Sequence, residues 1–131
     1  MRFLVDTSLF INAYHTGIEG LPPKVHRILV NPDDDLLISA VSLAEIAIKT
    51  SISRKLVFPP SAVAEALGAM RFIVLPYTSG HANALFSLPF FEDHRDPFDR
   101  MLIASAISEN IPILTSDRQF KRYRGLTAIW R

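Results

Sequence analysis

Four carboxylates, Asp6, Glu45, Asp99 and Asp117, carry the chemistry that this chain's residue types and spacing allow. Asp6 directly follows the apolar run Arg2-Phe3-Leu4-Val5, and Asp117 follows Ile111-Pro112-Ile113-Leu114-Thr115-Ser116. Asp99 falls in the first turn of a helix that Asp96-Pro97 opens, since Asp is a favoured N-cap and Pro suits the first helical position. Glu45 lies in a helix that follows a second apolar run. Each acid also has a local explanation. Asp6 and Asp117 suit Asx turns or N-caps. Ser42-Leu43-Ala44-Glu45 matches a capping box, and Glu45 stands four residues before Lys49 in the favourable orientation. Asp99 is favoured by the helix dipole. Together, however, four like charges at one end of one sheet repel and need a compensating cation. Oxygen ligands, with no Cys in the chain and no His at ligand spacing, select Mg²⁺ or Mn²⁺ over zinc. Such ions activate water and neutralise charge on a phosphodiester, singly or as a pair about 4 Å apart.

The elements that must position these acids alternate. Strands are expected at Arg2–Val5, Asp35–Ser39, Phe72–Leu75 and Ile111–Thr115, with a last edge strand at Leu126–Ile129. Helices are expected over Leu9–Tyr14, from an opening at Pro22-Pro23 to about Val30, Leu43 to about Ile52 with Ser42 as its start, Ala62 to about Met70 capped by Ser61, Thr78 to about Ser87, and Phe98–Glu109 closed by Asn110. Loops are expected at Arg54–Pro60 and Leu88–Arg95. Alternation of this kind predicts an α/β fold with a central parallel sheet and helices on both faces. Ligands of such folds bind outside the carboxyl ends of the strands, where Asp6 and Asp117 fall.

With 131 residues, 49% hydrophobic and 21% charged, the chain is expected to form a single domain, residues 1–131, with a packed core. The absence of Cys excludes disulfides and thiol nucleophiles. The start MRFLVD meets an acid too early for a signal peptide, and no apolar run nears the roughly 18 residues of a membrane span, so a cytoplasmic protein is expected. Net charge is +1, but Arg118, Lys121, Arg122, Arg124 and Arg131 form an acid-free segment interleaved with Tyr123 and Trp130. That asymmetry suits either a polyanion-facing edge or a solvated tail. His15, His26, His81 and His94 are scattered, and for His94 a surface or loop role is favoured over metal binding. Lys49 and Arg100 are expected to pair with Glu45 and Asp96; Phe90-Phe91 suits either the core or a protein contact.

Three stretches in order, LVDTSLFINA, SAVSLAEIAIK and DPFDRMLIASAISENIPILTSD, resemble the PIN-domain ribonucleases, and among them the VapC-like toxins of toxin–antitoxin pairs. The resemblance covers most of the chain. It implies a three-layer α/β/α sandwich and hydrolysis of single-stranded RNA regions dependent on Mg²⁺ or Mn²⁺. It places the acidic site on Asp6, Glu45, Asp99 and Asp117, with Thr7 or Ser8 supporting the first Asp and Ser116 beside the last. Asp96 is the departure: two acids stand where many relatives have one, so Asp96 is either a cap or a ligand through water. The implied partners are RNA, a cognate antitoxin and a second copy in a homodimer, with Arg118, Lys121, Arg122 and Arg124 along the RNA backbone. A catalytically silent PIN-like module that binds RNA or protein is the alternative. A phospho-accepting receiver-like domain needs an acid after the third strand, where this chain has Pro76-Tyr77.

Overall fold

The computed structural model describes residues 1–53, 58 and 60–131. Among them are five strands and six α-helices: β1 Arg2–Val5, α1 Thr7–Thr16, α2 Pro23–Val30, β2 Asp35–Ser39, α3 Ala40–Ile52, α4 Pro60–Ala69, β3 Ile73–Leu75, α5 Ser79–Phe86, α6 Pro97–Glu109, β4 Ile113–Leu114 and β5 Ala128–Ile129, with a 3-10 helix at Arg118–Arg122 before the last strand. Most of the loop expected over Arg54–Pro60 lies outside the described residues.

All neighbouring strands pair in parallel, in the order β3-β2-β1-β4-β5. The chain therefore builds outward from β1 to β3, returns, and adds β4 on the other side of β1. The gap between β1 and β4 is the point where winding reverses, and an open α/β sheet leaves a crevice there. Strand side chains alternate between faces. Phe3, Val5, Leu36, Ile38 and Leu114 pack with Leu9 and Phe10 of α1, Val25 and Leu29 of α2, Ile46 of α3, and Ala62 and Ala66 of α4. Leu4, Leu37, Leu75 and Ile113 point the other way, onto Leu102, Ile103 and Ala106 of α6 and onto Phe120 and Tyr123. A parallel sheet buried on both faces between helices is the expected α/β/α sandwich.

The ends of α6 follow the capping chemistry, while two expected caps, Ser42 and Ser61, are exceptions. Asp96 caps α6 by accepting from the amides of Phe98 (2.8 Å) and Asp99 (3.2 Å), and Pro97 takes the first position. Asn110 ends α6 in the left-handed region at φ 54°, a conformation Asn tolerates better than most residues. The first exception is α3. It begins at Ala40 with Ser39 as its cap, the hydroxyl accepting from Val41 N at 3.0 Å. Ser42 is thus inside the helix and no capping box to Glu45 exists; β2 passes into α3 without a loop, so the last strand hydroxyl caps. The second is α4, which starts at Pro60 and places Ser61 inside the helix rather than at its cap.

Candidate metal centre

Asp6 sits at the carboxyl end of β1, where its amide donates to Leu114 O of β4 at 3.1 Å. Its carboxylate is buried. Oδ1 accepts from Leu9 N at 2.7 Å and so caps α1, and Oδ2 accepts from Thr115 Oγ1. Thr115 Oγ1 in turn accepts from the amide of Asp117 at 3.1 Å. One hydroxyl therefore laces the ends of β1 and β4 together. Burial pushes the Asp6 carboxyl up to about 6, against the hydrogen bonds from Thr115 and Leu9, and the charges of Asp117 and Glu45 push the same way. Desolvation and like charge both disfavour the ionised form.

Asp117 caps the 3-10 helix, accepting from Gln119 N at 2.9 Å. Asp99, in the first turn of α6, is pushed up to about 6 by partial burial, then by the Asp96 charge, with Asp117 adding to it; His94 opposes. Ligand atoms of Asp99, Asp117 and His94 all lie within 4.8 Å of one another. Asp6 and Glu45 stand outside that group; the charges of Asp117 and Glu45 both act on Asp6. Glu45 lies in the second turn of α3, buried, with Oε2 accepting from Lys49 Nζ at 2.6 Å. Its Oε1 is buried without a hydrogen-bond partner. An orphaned carboxylate oxygen is costly unless something positive meets it. Lys49 supplies part of the compensating charge, and its ammonium is held protonated by Glu45 first, with Asp96 and Asp99 contributing. The donor set fits a hard divalent cation: carboxylate oxygens throughout, with one imidazole at the margin.

The supporting residues differ from expectation. Thr7 is buried but donates to Ser42 Oγ at 2.7 Å instead of reaching Asp6, and Ser8 and Ser116 are exposed. Thr115 does the work expected of them, because side chains alternate along β4 and Thr115 points inward where Ser116 points out. Arg100 donates to Pro89 O at 2.8 Å and does not pair with Asp96. His94 is buried, not at the surface, between Asp99 and Tyr123. The other histidines have separate local roles: His81 meets Glu109, His26 meets Glu19, and His15 packs on Tyr14 and Phe58.

A groove of about 360 Å³ runs from Asp117 past Arg118, Lys121, Trp130 and Arg131. Arg118, Lys121, Arg122 and Arg124 are all exposed. Arg122 is committed locally, to Asp93 at 2.6 Å and over the Phe91 ring at 4.1 Å. Tyr123 is buried against Phe91 and His94 and offers no face to a base. Phe91 packs on the core while Phe90 stays exposed. A larger apolar cavity of about 480 Å³ between α3 and α4 has no titratable side chain among its described lining residues.

Residues 3–126 match the family model of the PIN domain, and the chain belongs to that family. Among solved structures it is similar to a chain of the DNA-bound VapBC2 complex from Rickettsia felis, with 20% identity, TM-score 0.78 and full coverage of both chains. It is also similar to one of DNA-bound VapBC from Salmonella typhimurium, with 22% identity, TM-score 0.72 and coverage of 98% of this chain and 97% of that one. A third likeness is to VapBC-5, of the VapBC family of toxin–antitoxin systems, from Mycobacterium tuberculosis, with 20% identity, TM-score 0.60 and coverage of 99% and 98%. At these identities the likeness is one of fold. No curated protein sequence matches the chain significantly.

Proposed function

We propose that the chain is one PIN nuclease domain over residues 1–131, a Mg²⁺- or Mn²⁺-dependent endoribonuclease that acts as the toxin of a toxin–antitoxin pair. The observation that carries the reading is the approach of Asp99 and Asp117 ligand atoms to within 4.8 Å of one another, with the charges of Asp117 and Glu45 acting on the buried Asp6 and the buried Oε1 of Glu45 left without a hydrogen-bond partner. These four residues would hold the ion. When bound, it supplies a Lewis acid for the phosphodiester and an acidified water. Asp6 and Glu45, both buried, keep the acidic floor dry, where electrostatic effects are strongest. Asp99 and Asp117, more open, face the substrate. Arg118 and Lys121 line the groove leaving Asp117 and hold the RNA backbone. Asp96 stays a helix cap whose charge tunes Asp99.

The matched structures are VapBC complexes, which supports a protein antitoxin as partner. Exposed apolar side chains at Ile52, Phe86 and Phe90 suit contacts with that antitoxin and with a second copy in a homodimer. The cytoplasm is the proposed site of action; no described helix is long and apolar enough to cross a membrane.

The test is cleavage of a labelled RNA pool by antitoxin-free protein in Mn²⁺. EDTA should stop it, and Asp99→Asn should lower the rate by roughly 100-fold or more while leaving the melting temperature within a few degrees. Folded protein that binds RNA but never cleaves in Mn²⁺ would establish the silent binding module instead.

A further inference from the structure

Among the buried polar groups that the proposed chemistry leaves unused are the imidazole of His94 and the phenol of Tyr123, which are joined to each other and to Asp99. Exposure is 6% for His94 and 2% for Tyr123. Nδ1 of His94 lies 2.7 Å from Tyr123 Oη, and Nε2 lies 3.3 Å from Asp99 Oδ2. The ring is fixed from its other sides as well. Its backbone amide donates to Phe91 O at 3.1 Å, and the ring packs against Phe120 and Tyr123 at centroid distances of 5.9 and 5.5 Å.

For a neutral imidazole beside an ionised carboxylate, the donor and acceptor inventory selects one proton arrangement. An ionised carboxylate only accepts, a neutral imidazole has one donor and one acceptor, and a phenol can do either. All three groups are satisfied when Tyr123 donates to Nδ1 and Nε2–H donates to Asp99. The opposite tautomer turns a nitrogen lone pair toward the carboxylate. Tyr123 immediately follows the 3-10 helix that Asp117 caps, and Asp99 sits on α6. The chain Tyr123–His94–Asp99 therefore spans between the two elements that supply the paired acids.

We propose that His94 is a positioning residue, locked in its Nε2–H tautomer by Tyr123, that orients the Asp99 carboxylate and sets its spacing to Asp117. Resting on the reading of the acids as a metal centre, it gives His94 and Tyr123 the part that partners of metal ligands commonly play. The Nε2–H bond to Oδ2 fixes the rotation of the Asp99 carboxylate. Because a ring nitrogen of His94 also lies within 4.8 Å of ligand atoms of Asp99 and Asp117, direct coordination by His94 is the competing role.

The experiment uses the full chain, stripped of metal, in four forms: wild type, Tyr123→Phe, His94→Gln and His94→Ala. Mn²⁺ affinity is read from the free-ion electron paramagnetic resonance signal, the His94 tautomer from ¹⁵N NMR with and without Mg²⁺, and folding from thermal melts. Wild type should show protonated Nε2 and bare Nδ1, unchanged by Mg²⁺. Tyr123→Phe touches no acid, yet it should lose that tautomer preference and weaken Mn²⁺ binding about 10-fold; His94→Ala should weaken it roughly 10- to 100-fold. His94→Gln, which keeps an N–H near the Nε2 position, should recover most of the loss. Wild-type affinity in folded Tyr123→Phe and His94→Ala overturns the inference, as does loss of the Nε2 proton on adding Mg²⁺, which would make His94 a ligand. Wild-type protein that binds no Mn²⁺ overturns the metal-centre reading beneath it.

Discussion

Asp6 shows the conflict between stability and function at the scale of one residue. It is an N-cap and a strand-end acceptor, both satisfied, yet burial raises its carboxyl from 3.8 to about 6. A folded-state value above the unfolded one means the native protein binds the proton more tightly. Between about pH 4 and 6 the folded chain therefore carries the extra proton, and stability falls as pH rises through that window. Above it the full cost is present, about 3 kcal/mol for Asp6. Asp6→Asn keeps the capping oxygen and removes the charge. In EDTA at pH 7.5 it should be more stable than wild type by about 1–3 kcal/mol in denaturant melts, with the gain shrinking toward pH 4, while Mn²⁺ binding is lost. An Asn variant less stable than wild type at pH 7.5 would show that the Thr115 hydrogen bond outweighs desolvation.

At the scale of elements, the centre depends on how strand ends are fastened. β4 is only Ile113–Leu114, but its ladder continues through Thr115 N, which donates to Ile129 O at 3.0 Å. The Thr115 hydroxyl then bridges Asp6 and the amide of Asp117. Thr115→Val keeps the shape and removes both bonds. It should cost about 1–3 kcal/mol, the usual penalty for stranding buried polar groups. It should also weaken Mn²⁺ binding by about 10-fold or more. Thr115→Ser, which keeps the hydroxyl, should hold Mn²⁺ nearly as wild type does; equal affinity in the Val and Ser forms would remove Thr115 from the centre.

For the whole molecule, charge is distributed so that a near-neutral chain has an acidic crevice opening onto a basic groove. In the proposed centre, protons and metal compete for the raised carboxylates. Mn²⁺ should therefore raise the melting temperature more at pH 7.5 than at pH 5, because only the ionised acids bind it. An equal rise at both values would mean that the ion binds elsewhere. On the proposed reading the groove acts on polyanions in general. Arg118→Ala and Lys121→Ala should each reduce the slope of log affinity against log salt by about 0.7 for single-stranded RNA, without changing sequence preference. An unchanged slope would place the RNA on another face.

Local chemistry makes much of this protein legible in its sequence. The alternation of helices and strands, the Asp96-Pro97 start of α6, the Glu45–Lys49 pair and the placement of Asp6 and Asp117 after apolar runs all follow from residues a few positions apart. Where the reading failed locally, at Ser42 and Ser61, a neighbouring residue started the helix sooner. The centre itself was decided by tertiary structure. Periodicity says that strands exist but not that β4 lies beside β1, and that order alone brings Thr115 to Asp6 across 109 residues. The same holds for His94, whose partner Tyr123 is 29 residues away. A buried histidine and a surface one look alike in sequence, because burial depends on what the rest of the chain packs over them. The sequence by itself determined which acids stand at strand and helix ends; the strand order decided which of them share a field, because contacts between distant residues are set by the sheet's winding and not by local spacing.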